Sequence, residues 1–164
     1  MEINKKSSKV YFQMLSFLYS TIVEIMIVGI LFVYLKVDST KIDMESHSAK
    51  AFIYLVPVMI IFFFIINKLL YSFKIKSLKE KTDLKMKMIV YREIVIARLA
   101  FFVSPVFLSF AAVSRSNNIN FLIYAGLMLI LLLIKRPSKK SVIDVLGLDE
   151  QEILILQDPD SIIV

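Results

Sequence analysis

The chain has 164 residues, 58% of them hydrophobic, with a mean hydropathy of +0.75 and a formal net charge of +6. This hydropathy is far outside the range of soluble globular domains and indicates an integral membrane protein. The chain contains no cysteine, which excludes disulfides and thiolate metal sites, and its single histidine leaves no cluster of the usual metal ligands. The sequence shows no haem or iron–sulfur ligand set, and because the only histidine, His47, lies in a polar loop, the usual hydrolase triads are not expected. We therefore expect no enzymatic activity, no cofactor and no bound metal.

Four apolar runs follow one another, at residues 11–35, 52–73, 88–113 and 119–134. A helix needs about 20 apolar residues to span a bilayer, so the runs predict an all-α membrane protein with four transmembrane helices, the last of them short. This pattern predicts a four-helix transmembrane domain over residues 1–137. An acidic, amphipathic cytoplasmic tail is predicted over residues 138–164.

The flanking charges predict the orientation. Thirteen Lys and Arg residues lie before the first run, between the second and third, and after the fourth, whereas four lie on the opposite side. Because Lys and Arg are retained in the cytoplasm, both termini are predicted to be cytoplasmic. The small chain, rich in Lys and Ile, favours a multi-pass protein of a cytoplasmic (inner) membrane.

The first run carries one carboxylate, Glu24, near its middle. Gln13, Ser16, Ser20 and Glu24 are spaced three, four and four residues apart, which places them on one stripe of a helix. A charge at such depth costs several kcal/mol in hydrocarbon, so this polar stripe is predicted to face protein or water.

Between the first two runs, the loop over residues 36–50 contains Asp43, Glu45 and His47. We interpret it as a solvated loop rather than a metal site, because the spacing provides no rigid frame. The second run is apolar apart from Pro57, Asn67 and Lys68. Lys68 can extend its side chain to the membrane interface.

A basic loop over residues 72–87 joins the second and third runs and contains six lysines against two acids. These lysines orient the protein, and they are also candidates for contact with a partner or with anionic lipids. The loop has no arginine or interleaved aromatic residue, so nucleic acid is not an expected partner. The candidate contact residues are Lys74, Lys76, Lys79, Lys81, Lys85 and Lys87.

The third run contains Glu93 and, deeper, Arg98. At 1.5 Å per residue, Arg98 is predicted about 15 Å and Glu24 about 20 Å from the same membrane face, a gap that an arginine side chain can bridge. We therefore predict a buried ion pair between Glu24 and Arg98, or a proton-linked site at these residues. Glu93 is predicted to meet Lys68 or Asn67.

The tail combines acidic residues with many apolar ones. Ser141 with Asp144 predicts a short helix that Gly147 ends, and Asp149 with Glu152 forms a capping-box pattern before a second short helix. From residue 141 onward there are six acids and no Lys or Arg. The tail is therefore predicted to dock onto the basic loop or onto a partner's basic surface.

The sequence thus favours a small non-enzymatic accessory or scaffold subunit of a larger membrane protein complex, docking through its helices and cytoplasmic tail. Its expected partners are membrane lipids and other membrane protein subunits, with homo-oligomerisation left open. The alternative is a small proton-coupled transporter or channel that uses Glu24.

Overall fold

A computed structural model of the chain describes residues 7–38, 47–78 and 83–162, with side chains omitted at 47–49 and 77–78. Over these residues the protein is all-helical apart from one isolated β-bridge between Ser7 and Ile162, which confirms the predicted class. The α-helices are α1 (Ser8–Lys36), α2 (His47–Leu78), α3 (Leu84–Ser116), α4 (Leu122–Ile134), α5 (Lys139–Leu146) and α6 (Glu150–Gln157), with a 3₁₀ turn at Ile119–Phe121 before α4.

Three helices, α1, α2 and α3, are long and apolar enough to cross a membrane. A fourth span is counted only if Ile119–Ile134 is taken together with Lys139–Leu146, across a bend of 82°. Helix α4 alone has 13 residues. At 1.5 Å per residue it is about 20 Å long, short of the roughly 30 Å hydrocarbon core. The described chain therefore has three to four candidate spans.

The turn between α3 and α4 is built from polar residues that satisfy the free backbone groups at the helix ends. Asn117 adopts a positive φ of 51°, a conformation that asparagine tolerates better than most residues. The Asn118 side chain accepts a hydrogen bond of 3.0 Å from the backbone N–H of Asn120. The Ser116 hydroxyl donates to the carbonyl of Ala112 at 2.7 Å. These bonds end α3 and begin the 3₁₀ turn.

The second tail helix follows its predicted signals, whereas the first begins before the predicted Ser141 and ends at Gly147 as predicted. Ser138 caps α5 by accepting from the Ser141 N–H, and Gly147 ends it in the left-handed conformation with φ of 57°. The predicted capping box of α6 is confirmed. Asp149 Oδ1 accepts from the Glu152 N–H at 2.7 Å, and Glu152 Oε2 accepts from the Asp149 N–H at 3.0 Å.

The chain divides into two compact units, and each long helix contributes to both. The first unit comprises Met1–Ser20, Lys68–Ala97 and Arg136–Val164, so it includes the tail. Its buried residues include Tyr11, Leu15, Met88, Tyr91, Val142, Leu146 and Leu156. The second unit comprises Thr21–Asn67 and Arg98–Lys135. Its buried residues include Met26, Val56, Phe102, Val106, Val113, Ala125, Met128 and Leu132.

In the second unit, Gly29 of α1 allows a close approach of α3. A Cβ atom at Gly29 would lie 2.8 Å from Cε2 of Phe110, whereas a Cβ at Gly126 of α4 would meet nothing within 4 Å. Both glycines lie inside helices, so the higher helix propensity of alanine should stabilise the helix by a similar amount at each position. The difference between the two substitutions therefore reports the clash with the Phe110 ring.

We predict that the free energy of unfolding of Gly29→Ala is about 1–2 kcal/mol lower than that of Gly126→Ala, because over-packing forces the Phe110 ring to move. Denaturant unfolding of both variants in the same mild detergent measures this difference. Equal stability of the two variants would contradict the close packing of α1 and α3 at Gly29.

Candidate functional site

An almost buried ion pair joins the tail to the start of α3. Lys87 Nζ lies 2.6 and 2.7 Å from the two carboxylate oxygens of Glu152, and the two side chains are only 13% and 10% exposed. Glu152 also accepts from the Asp149 N–H within the capping box of α6. The structure thus brings a lysine of the basic loop to the acidic tail, as the charge asymmetry of the sequence predicts.

The first turn of α1 and the residues around the end of α6 satisfy each other's free backbone groups. The first N–H groups of a helix and its last carbonyls have no partner within the helix. Here the Ser8 N–H donates to the Ser161 carbonyl at 2.9 Å, and the Lys9 N–H donates to the Pro159 carbonyl at 3.2 Å. In the other direction, the buried Ser8 hydroxyl donates to the Leu156 carbonyl at 2.7 Å. We call this arrangement the mutual cap.

Further contacts in the first unit fix the tail. Lys139 Nζ donates to the Leu156 carbonyl at 3.2 Å, which places a cation at the carboxyl end of α6, where the helix dipole favours it. The Tyr91 and Ser141 hydroxyls lie 3.4 Å apart. The Tyr11 hydroxyl donates to the Met88 carbonyl at 2.8 Å and connects α1 to α3. The tail is therefore an integral part of the first unit.

The outward side of the tail combines exposed apolar and acidic side chains. Leu154 is 67% and Ile155 43% exposed on α6, and Ile162 is 61% exposed beyond it. Glu150 and Leu154 are four residues apart and so lie along one side of α6, and Asp158 follows directly after the helix. The exposed tail surface is defined by these apolar residues together with five exposed acids, Asp144, Asp149, Glu150, Asp158 and Asp160.

The predicted lysine contacts divide into three groups. Lys87 pairs with Glu152, and Lys74 pairs with Glu93, so these two are engaged within the chain rather than offered to a partner. Lys76 is exposed and Lys85 half-buried. Lys79 and Lys81 lie outside the described residues.

The residues of the predicted polar stripe on α1 point mostly outward. Gln13, Ser20 and Glu24 are exposed, and Ser16 is half-buried. The Ser16 hydroxyl accepts a hydrogen bond of 3.5 Å from Arg136, and Ser20 donates to the Phe17 carbonyl of its own helix at 3.1 Å. The sequence predicts that this stripe faces protein or water; among the described residues, Ser16 is the member of the stripe that bonds to a side chain outside α1.

Among the described residues, Glu24 forms no salt bridge with Arg98. Glu24 is exposed on α1, whereas Arg98 is half-buried on α3, so the two carry their charges in different environments. Helical depth, on which the pairing was predicted, does not specify which way each side chain faces. Glu24 therefore remains a candidate proton-linked site, as predicted from the sequence, without a salt bridge to Arg98.

Glu93 pairs with Lys74 of α2 rather than with Lys68 or Asn67. Lys74 lies nearer the end of α2, and both partners are partly solvent-exposed, at 31% for Lys74 and 50% for Glu93. Lys68 is exposed, and Asn67 is half-buried beside a narrow crevice lined by phenylalanines of α2 and α3. This pairing places Glu93 beside the last turns of α2, in a partly solvent-exposed position.

The second unit contains an open cleft of about 280 Å³, lined by Ile53, Asn118, Asn120, Phe121, Ile123 and Tyr124. Its lining carries no carboxylate, imidazole or amine that could act as a general acid or base. Among the described residues, no group of three or more His, Asp or Glu side chains could hold a metal ion. The loop acids Asp43 and Glu45 lie outside the described residues, as does the side chain of His47.

Sequence reasoning did not identify the mutual cap or the Tyr11 bond to the Met88 carbonyl. Ser7 and Ser8 directly before the first apolar run are a cap signal that could have suggested a capped start of α1. Nothing in the sequence indicates that the capping carbonyls come from Pro159 and Ser161, about 150 residues later.

Comparison of the chain with models of known protein families, with curated proteins and with solved structures finds no match.

We predict that Glu152→Ala releases the tail, because it leaves Lys87 almost buried without its partner and also breaks the capping box. Breaking one side of a buried ion pair typically costs about 3–5 kcal/mol. Hydrogen exchange of α6 backbone amides should rise at least about a hundredfold. The matched control, Glu150→Ala, removes an exposed acid from the same helix and should leave exchange nearly unchanged; similar protection in both variants would contradict the role of the ion pair.

Proposed function

We propose that this protein is a non-enzymatic accessory or scaffold subunit of a larger membrane protein complex, which docks through its helices and its cytoplasmic tail. The observation that carries the proposal is the exposed tail surface. Helix α6, which the Lys87–Glu152 ion pair and the mutual cap hold in place, exposes Leu154 and Ile155, and the tail also exposes five acidic residues. A surface of this kind is typical of a protein interaction site.

Binding of this surface to lipid is disfavoured by its charge. Five exposed acids would be repelled by the negative potential of an anionic bilayer surface, which attracts basic segments. A partner protein with basic residues around an apolar patch can neutralise the acids and bury Leu154 together with Ile155. Complementary charge of this type accelerates association and selects the partner.

The proposed placement in the membrane is supported by two observations, the three long apolar helices and the distribution of lysines. The excess of Lys and Arg near the tail and the basic loop supports cytoplasmic termini and a multi-pass protein of the cytoplasmic (inner) membrane. In this orientation the exposed tail surface lies in the cytoplasm. The helices leave large apolar faces for lipids and for neighbouring subunits, since only 17% of the apolar window of α1 and 6% of that of α2 is buried.

A second candidate function is a small proton-coupled transporter or channel that uses Glu24. The specific observation in its favour is a carboxylate exposed near the middle of a helix long enough to span a membrane. Intramembrane carboxylates frequently serve proton and ion pathways.

We predict that Leu154→Ser reduces co-purification of the partner subunit at least about tenfold in mild detergent. Burying one leucine side chain in an interface contributes about 2 kcal/mol to the free energy of binding, and the serine variant loses this contribution. The matched control is Gln151→Ser, which changes an exposed polar residue of the same helix. Yields of the associated chain are measured by quantitative mass spectrometry against the tagged protein. Equal yields for Leu154→Ser and the control would contradict docking through the exposed tail surface.

The transport candidate makes a separate prediction. If Glu24 carries a proton across the bilayer, proteoliposomes containing the purified chain should show proton flux under an imposed pH gradient, and Glu24→Gln should abolish it. Glu150→Gln, which neutralises an acid of the tail, is the control and should retain the flux. The absence of flux above that of empty liposomes would exclude this second function for the isolated chain.

A further inference from the structure

Glu24 lies on an exposed stripe of α1 that is polar before this residue and apolar after it. One helical turn earlier is the exposed Ser20. One helical turn further along the same face are Ile27, 40% exposed, and Val28, 65% exposed, followed by Leu31, 56% exposed. The carboxylate therefore adjoins three side chains suited to hydrocarbon. In a membrane-spanning α1, this face meets lipid wherever another protein does not cover it.

Among the described residues, no salt bridge to Glu24 is formed. Arg98, the basic residue predicted at the most similar depth, forms no salt bridge with Glu24 within the described residues. An acid that faces lipid near the bilayer centre is costly, and such residues almost always face a protein interior or a water-filled cavity. Glu24 is thus costly in the isolated chain and acceptable in an assembly that covers it.

We propose that the face of α1 around Glu24 receives a transmembrane helix of a different subunit, which places a Lys or Arg side chain against the Glu24 carboxylate. This inference rests on the proposed function and specifies the chemistry of the partner inside the membrane. Charge complementarity selects the basic residue, since a cation compensates the carboxylate charge as well as donating hydrogen bonds. Ile27, Val28 and Leu31 provide the apolar surface against which the rest of the partner helix packs.

A second copy of the same chain fits this face less well. In a two-fold symmetric contact, each residue near the symmetry axis meets its own counterpart. Glu24 would then lie near Glu24 of the second copy, and two carboxylates cannot both be charged at short distance without strong repulsion. A heterologous helix with a basic residue avoids this repulsion and makes the contact specific to one partner.

The inference is tested with a photo-crosslinking amino acid at position 28, in full-length protein expressed in its native membrane. The control position is 58, where Val58 of α2 is 61% exposed, similar to the 65% of Val28. We expect position 28 to crosslink to an apolar segment of another membrane protein that contains a Lys or Arg within about one helical turn of the attachment point. A crosslink to a second copy of this chain, to lipid alone, or to a segment without a basic residue would overturn the proposal.

Charge exchange provides the second measurement. Glu24→Gln should reduce the yield of the crosslinked complex about tenfold, Glu24→Asp should retain most of it, and Glu24→Lys should abolish it. Combining Glu24→Lys with a Lys or Arg to Glu change at the mapped partner residue should restore the yield. An unchanged yield in Glu24→Gln, or no restoration by the exchanged pair, would contradict the ion pair.

The outcomes separate this inference from the proposed function. If Leu154→Ser lowers co-purification while Glu24→Gln does not, the partner docks on the tail and the intramembrane ion pair is wrong. If no other protein associates with the unmodified chain, both proposals fail.

Discussion

The ion pair between Lys87 and Glu152 is the interaction on which the arrangement of the tail depends. It joins the first turn of α3 to α6, and both side chains are almost removed from water. An ion pair in that environment is costly to break because the remaining charge is left without compensation. Glu152 also completes the capping box, so the same carboxylate starts α6 and anchors it. With Glu152 held inward, Leu154 and Ile155 remain exposed on the same helix.

The mutual cap strengthens the same connection through the backbone. The first N–H groups of α1 have no acceptor within their own helix. Carbonyls of Pro159 and Ser161 fill this role, and the Ser8 hydroxyl returns a bond to the carboxyl end of α6. The two ends of the described chain are thereby tied together, as the Ser7 and Ile162 bridge also shows. Substitutions that displace the tail should therefore also destabilise the first turn of α1.

Local signals in the sequence predicted local structure well. The apolar runs located the long helices, Gly147 marked the end of α5, and the Asp149 and Glu152 spacing identified the capping box. Charge asymmetry predicted the docking of the tail on the basic loop, realised through Lys87. Helices α1, α2 and α3 extend past their apolar runs, because the helical backbone hydrogen bonds continue into the flanking charged residues, whereas α4 begins after the 3₁₀ turn that takes up the start of its run.

Side-chain direction and pairing over long distances could not be derived in the same way. The depth of Glu24 and Arg98 was estimated from helix rise, but their contact also depends on how each helix is rotated about its axis, which a single sequence does not specify. Helix rotation likewise decides that Glu93 pairs with Lys74 rather than with Lys68. The proposed contact with another subunit rests on the outward position of Glu24, since the described residues form no salt bridge with this carboxylate.

The central claim, that the chain works as a subunit of a larger membrane complex, is tested most directly by its native mass. The tagged protein should be purified from native membranes in mild detergent, and the mass and composition of the particle determined by light scattering and mass spectrometry. We predict a reproducible particle that contains at least one other membrane protein in a fixed ratio to this chain. A particle made only of this chain, as a monomer or a homo-oligomer, would contradict the claim.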